Sequence, residues 1–122
     1  MKPGKIGISR VIAATGYSLQ GLKAAWIHQA AMRQEVIAAV LLSIVAILLP
    51  VTYIERILLI GCLFIVVIAK LINSAIEATI DRIGAEKHEL SGRAKDIGSA
   101  AVFVALLLVA LVWITVLVEL YL

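Results

Sequence analysis

Charged residues are scarce in this sequence. Aspartate, glutamate, lysine and arginine make up 16% of its 122 residues, against about 25% in soluble domains. That scarcity excludes an ordinary water-soluble fold. The apolar fraction is 63%, and a chain the size of one domain cannot enclose that much apolar surface within itself. Lipid must be part of its solvent. A dense basic stripe is also missing. The formal charge is +3, and the positive residues gather near the amino terminus and between residues 82 and 95. This suits anionic headgroups or a phosphate ligand better than a nucleic-acid groove, so no nucleic-acid partner is expected. The single cysteine, Cys62, excludes an intrachain disulfide. Residues 1–25 lack the continuous apolar core of a cleavable signal peptide, and the chain reads as mature from Met1. There is no Walker loop and no kinase-type glycine loop, so any nucleotide site here is unconventional. Internal repeats and low-complexity segments are absent too.

What is present is a series of long apolar runs, and they predict a single all-α integral membrane domain over residues 1–122: three transmembrane helices and an amino-terminal amphipathic interfacial helix. That first helix is expected over residues 5–27. Ile8, Ile12, Leu19, Leu22 and Trp26 recur at helical spacing, with Thr15 filling the gap, while Arg10, Gln20 and Lys23 fall off the stripe. Such a helix lies in the membrane surface with its basic side chains toward headgroups; packing on other protein is the alternative. The first span follows the polar cluster Arg33, Gln34 and Glu35. From Val36 to Leu49 only Ser43 is polar, but that run is about 21 Å long at 1.5 Å per residue, short of a core of about 30 Å. The span therefore extends over about residues 29–49, with Arg33–Glu35 near one interface, and Pro50 ends it. The second is expected over residues 53–83, uncharged from Ile57 to Ala69. The third, over about residues 91–119, is uncharged from Ile97 to Val118 and is the clearest membrane-crossing signal.

Orientation follows from the basic flanks. Lys2, Lys5, Arg10, Lys23 and Arg33 lie on the amino-terminal side, and Arg82, Lys87, Arg93 and Lys95 in the second connection. The first connection has only Arg56, and the carboxyl terminus none. The amino terminus and second connection are thus expected in the cytoplasm, with Tyr53, Trp113 and Tyr121 near the outer face as an aromatic belt.

Within the second span, Lys70, Asn73, Ser74, Glu77 and Asp81 are separated by steps of three and four, which stacks them on one helical face. Polar groups facing hydrocarbon are costly, so this stripe must meet protein, water or ligand. For Asn73 and Ser74 an interhelical hydrogen-bond seam is the simpler reading. For Glu77 and Asp81 a site is favoured, because two carboxylates on one face at an interface are suitable oxygen ligands for Mg²⁺. The second connection, Gly84 to Asp96, is equally readable as a charged cytoplasmic turn or as a phosphate site, with Ser91 capping the third helix and Arg93 and Lys95 as donors.

Two long motifs add more. Asn73-Ser-Ala-Ile-Glu-Ala-Thr-Ile-Asp-Arg-Ile83 and His88-Glu-Leu-Ser-Gly-Arg-Ala-Lys-Asp-Ile-Gly-Ser-Ala-Ala-Val102 resemble the signature of bacterial diacylglycerol kinases. The likeness continues through Gly16-Tyr17-Ser18, Gly21-Leu22, Ala24-Ala25-Trp26-Ile27 and Arg33-Gln34-Glu35, and is nearest the Gram-negative form. The resemblance implies a multi-pass homotrimer of the bacterial inner membrane. Sites shared between subunits would transfer the γ-phosphate of ATP, with Mg²⁺, to diacylglycerol or a similar lipid alcohol, giving phosphatidic acid. Matched residue by residue, Glu77 would bind Mg²⁺. Asn73, Asp81, Lys95 and Asp96 would surround the nucleotide, Glu86, Lys87 and His88 would lie along it, and Arg10 and Tyr17 would close over it.

Two positions depart from the family pattern. Lys70 stands where the family has the glutamate regarded as its general base, and Gln29 where it has a glutamate expected to share the metal. A lysine that keeps its proton is a poor base, and a glutamine offers an oxygen without charge. The activity expected is a diacylglycerol kinase with weakened chemistry. A catalytically silent nucleotide-binding trimer, an undecaprenol kinase and a small transporter subunit are the alternatives, although the paired broken helices of transporter sites are missing.

Overall fold

A computed structural model describes residues 6–84 and 89–122. Glu86, Lys87 and His88, together with Lys2 and Lys5, lie outside the described residues. Within them the chain is all-α: α1 (Gly7–His28), α2 (Ala30–Leu48), α3 (Tyr53–Ile83) and α4 (Glu89–Tyr121). The last three are long and apolar enough to cross a membrane, whereas α1 is not among those spans. α3 and α4 share the most extensive interface, α2 packs on α3, and α1 makes the smaller contact with α2.

The breaks between helices have local causes. At Gln29 the backbone turns extended (φ −123°, ψ 100°), and Arg33 reaches back from α2 to donate to the carbonyls of Trp26 (2.7 Å) and Ile27 (3.1 Å). These are acceptors that the end of α1 leaves without intrahelical partners. Leu49, immediately before Pro50, is extended (φ −70°, ψ 141°), as steric conflict with the proline ring requires. α3 then opens with a capping box. Glu55 N–H donates to Thr52 Oγ1 (3.2 Å), and Thr52 N–H donates to the Glu55 carboxylate (3.0 Å). Arg56 completes this end of the molecule, donating to the carbonyls of Ala46 (3.1 Å), Leu49 (3.0 Å) and Val51 (3.3 Å). A single side chain thus satisfies the end of α2 and the turn after it.

Ala46, Leu59 and Val116 are buried at that same end, with Leu49, Ile60, Val112 and Trp113 packed around them. Trp113, expected near the outer face with Tyr53 and Tyr121, also reaches across this end: its indole Nε1–H donates to the Leu59 carbonyl at 3.1 Å and ties α4 to α3. The ring is half-buried, and its N–H has an acceptor there. Tyr53 and Tyr121, by contrast, are exposed. Ser91 departs from expectation. It lies inside α4, whose first described residue is Glu89, so it does not cap that helix.

Large apolar side chains around α2, α3 and α4 remain uncovered, among them Leu41, Phe64, Phe103 and Leu111. α1 buries none of its residues, and Ile8, Ile12, Leu19, Leu22 and Trp26 are all exposed. A single chain leaves these surfaces for lipid or further copies to cover.

Candidate functional site

The polar stripe of α3 lies in its second half, away from the apolar cluster and toward the end where α3 and α4 are connected. Asn73 and Ser74 are buried, Lys70 and Glu77 half-buried, and Asp81 exposed. Burial therefore falls off along one face, from the seam that fixes α3 against its neighbours to carboxylates open to approach.

Two contacts organise this face. Asn73 Nδ2–H donates to Glu77 Oε1 at 3.1 Å, one helical turn away. The bond holds the carboxylate by one oxygen and leaves the other without a hydrogen bond among the described residues. Lys95 of α4 crosses to Asp81, its Nζ 3.2 Å from Oδ1. The helix pair thus brings Asn73, Glu77, Asp81 and Lys95 to one end. Asp96, next along α4, is exposed there. Arg93, an expected phosphate donor, is engaged one turn back on its own helix, with Glu89 at 3.1 Å.

A groove of about 630 Å³ runs between α1 and α3. From α1 it is lined by Ser18, Gly21, Leu22, Ala24, Ala25 and His28, and from α3 by Leu71, Ser74, Ala75 and Ala78; Gln29 closes it at the helix junction. The walls are small and apolar with few polar groups, the character of a site for a mostly apolar ligand with one polar end. Gln29 and Ser74 of the α3 stripe thus line the same groove. Arg10 and Tyr17 are exposed on α1 and do not line the groove. Lys70 makes no hydrogen bond or ion pair with a described residue.

As to metal, no group of three or more His, Cys, Asp or Glu side chains could hold one among the described residues. Magnesium does not require such a cage, because it commonly keeps several waters and takes one or two protein carboxylates beside substrate phosphates. Glu77, oriented through one oxygen and free through the other, fits that demand, and Gln29 can add only a neutral oxygen.

Sequence reasoning missed three positions: Ser18 and His28, which line the groove, and Gly98. The last is buried in α4 against Asn73 and its neighbour Ile76. A glycine within an apolar span is a signal of close helix approach, but the sequence does not say which residue it meets.

Residues 16–117 match the family described as prokaryotic diacylglycerol kinase. The diacylglycerol kinase of Escherichia coli strain K12 is 53% identical over 107 residues, covering 88% of both chains. That of Pseudomonas aeruginosa is 50% identical over 114 residues, covering 93% of both. The diacylglycerol kinase of Helicobacter pylori strain 26695 is 42% identical over 120 residues, covering 98% of this chain and 94% of the relative.

Proposed function

Because the chain belongs to the prokaryotic diacylglycerol kinase family, a family of membrane lipid kinases, we propose that it transfers the γ-phosphate of ATP to the hydroxyl of diacylglycerol, slowly, at the α3–α4 end. The observation that carries this reading is the hydrogen bond from Asn73 Nδ2 to Glu77 Oε1 (3.1 Å). It orients one carboxylate beside the Asp81–Lys95 pair.

In this reading Glu77 holds Mg²⁺, which when bound neutralises charge on the nucleotide phosphates. Lys95 donates to the phosphates, and Asn73, Asp81, Asp96 and residues 86–88 surround the nucleotide. Arg10 and Tyr17 approach from α1. The lipid enters along the α1–α3 groove, where small apolar walls accept its chains and Ser74, His28 and Gln29 supply polar contacts near its hydroxyl. A bond forms between the lipid hydroxyl oxygen and the γ-phosphorus as the bond to the bridging β–γ oxygen breaks and ADP leaves. With no carboxylate at position 70, the hydroxyl proton passes to an oxygen of the transferred phosphoryl group. Loss of a positioned base costs about 10²–10⁴-fold in rate, which is why transfer is slow. The assembly is a homotrimer of the bacterial inner membrane with its amino terminus in the cytoplasm.

The test is phosphate transfer to diacylglycerol from MgATP in mixed micelles. Slow formation of phosphatidic acid supports the reading. No transfer, with nucleotide still bound, would make the chain the silent trimer that Lys70 and Gln29 also suggest. Transfer to undecaprenol in preference to diacylglycerol would replace the substrate.

A further inference from the structure

We propose that Gly98 is a positioning residue for the Glu77 carboxylate, acting through Asn73; the inference rests on the reading of Glu77 as a metal ligand. Asn73 is only 4% exposed, and the two ends of its amide are treated differently. Nδ2 donates to Glu77 Oε1. An ionised carboxylate only accepts hydrogen bonds, so the amide cannot turn over without setting oxygen against oxygen. Its Oδ1 must therefore point the other way. There it meets no N–H or O–H donor among the described residues. What it meets is Gly98.

A methyl group on Gly98 would overlap Asn73 Oδ1 and come within 3.3 Å of Asn73 Cγ and 3.6 Å of Ile76 Cδ1. The hydrogen that occupies this direction instead is a weak donor, of the Cα–H···O kind that recurs where helices approach closely. The other helical glycines do not share this steric demand. At Gly16, Gly21, Gly61 and Gly92 an added Cβ would meet nothing within 4 Å. Asn73 is short and buried, so its amide can clear a methyl group only by turning away from its present partners. Gly98→Ala must rotate the amide off Glu77 or push α4 away from α3. In either case Glu77 loses the donor that selects its orientation, and metal affinity falls. Asn73 also borders the nucleotide in the proposed reading, so metal-free binding weakens as well, but the larger loss falls on the metal.

The experiment uses the full chain in detergent micelles and four proteins: wild type, Gly98→Ala, Asn73→Ala and the double variant. Mn²⁺ is titrated in place of Mg²⁺ at fixed ATP, and bound Mn²⁺ is read by electron paramagnetic resonance. Binding of ATP without metal and the thermal unfolding midpoint are measured on the same samples. Removing a partner that orients a metal ligand costs about tenfold or more in metal affinity, so Gly98→Ala should raise the half-saturating Mn²⁺ by that factor. Binding of metal-free ATP should weaken by a much smaller factor. In the Asn73→Ala background the same substitution should change neither Mn²⁺ affinity nor the midpoint, because the overlap is gone. Equal loss in both backgrounds, or parallel loss of metal-free ATP, would mean general damage to the helix pair and overturn the inference alone. Wild type that takes up no Mn²⁺–ATP would overturn the proposed function and the metal role of Gly98 with it.

Discussion

Lys95 Nζ lies 3.2 Å from Asp81 Oδ1, so a lysine near the start of α4 reaches the last turns of α3. Both side chains are largely exposed, at 44% and 71%, and exposed pairs of this kind contribute at most about 1 kcal/mol. The pair is thus a poor fastener, which leaves Lys95 free to take the phosphate role proposed for it. Lys95→Ala is expected to leave the thermal midpoint nearly unchanged while abolishing MgATP protection of α1 against proteolysis. A large drop in midpoint with protection intact would assign Lys95 to stability.

Restoring carboxylates at the two departing positions separates their roles. Lys70→Glu supplies a proton acceptor and should raise turnover by about 10²-fold or more. Gln29→Glu supplies a charged oxygen and should chiefly lower the Mg²⁺ concentration needed. The double change should exceed either one, because metal and base serve the same transfer. If the unaltered chain already matches the double variant in steady-state assays, the roles given to these positions are wrong.

Arg56 holds three carbonyls at the other end of the molecule. Hydrogen bonds to a charged group contribute about 1.5–3 kcal/mol, so Arg56→Gln should lower the unfolding midpoint in detergent by several degrees. Mn²⁺–ATP affinity should not move, since that end lies away from the polar stripe. A change in nucleotide affinity at constant midpoint would contradict this division of labour.

Orientation can be read with single cysteines in a Cys62→Ala background. Lys23→Cys and Arg93→Cys should react with an impermeant maleimide only after the cytoplasm is opened, and Tyr53→Cys from outside intact cells. Labelling of residue 23 or 93 in intact cells would invert the topology.

Lipid or further copies can cover the apolar surfaces, and the proposed trimer requires the latter. Mass measurement in a gentle detergent should give three chains per particle. Monomer alone at every concentration would exclude sites shared between subunits.

Much of this molecule can be read from its one-dimensional pattern, for physical reasons. An apolar run long enough to cross a bilayer has few other uses, so Ile97 to Val118 marks a span by itself, while Val36 to Leu49 and Ile57 to Ala69 mark the cores of two more that their flanks must lengthen. The shared face of Asn73, Glu77 and Asp81 follows from steps of three and four. Contacts between helices are less legible, because they depend on how each helix is rotated and how closely it approaches. Nothing in the residue pattern signals that Trp113 reaches Leu59, that Gln29 and Ser74 line one groove, or that Gly98 abuts Asn73. Arg33 and Arg56 look like interface charges when only composition is read. Their use in satisfying helix ends becomes evident once the breaks at Gln29 and Pro50 are placed.

α3 runs unbroken through 31 residues, about 46 Å at 1.5 Å per residue, against a hydrocarbon core of about 30 Å. It is one stiff rod carrying both the clamp at Arg56 and the station at Glu77, so neither can shift along the membrane normal without the other. Bilayer thickness then becomes a variable of the chemistry. A thicker membrane draws Glu77 toward the acyl region, and a thinner one lifts it above the glycerol level where a lipid hydroxyl resides. Tilt can absorb part of either mismatch. Vesicles of graded acyl-chain length should therefore show an optimum in phosphate transfer while the chain remains equally folded in all of them.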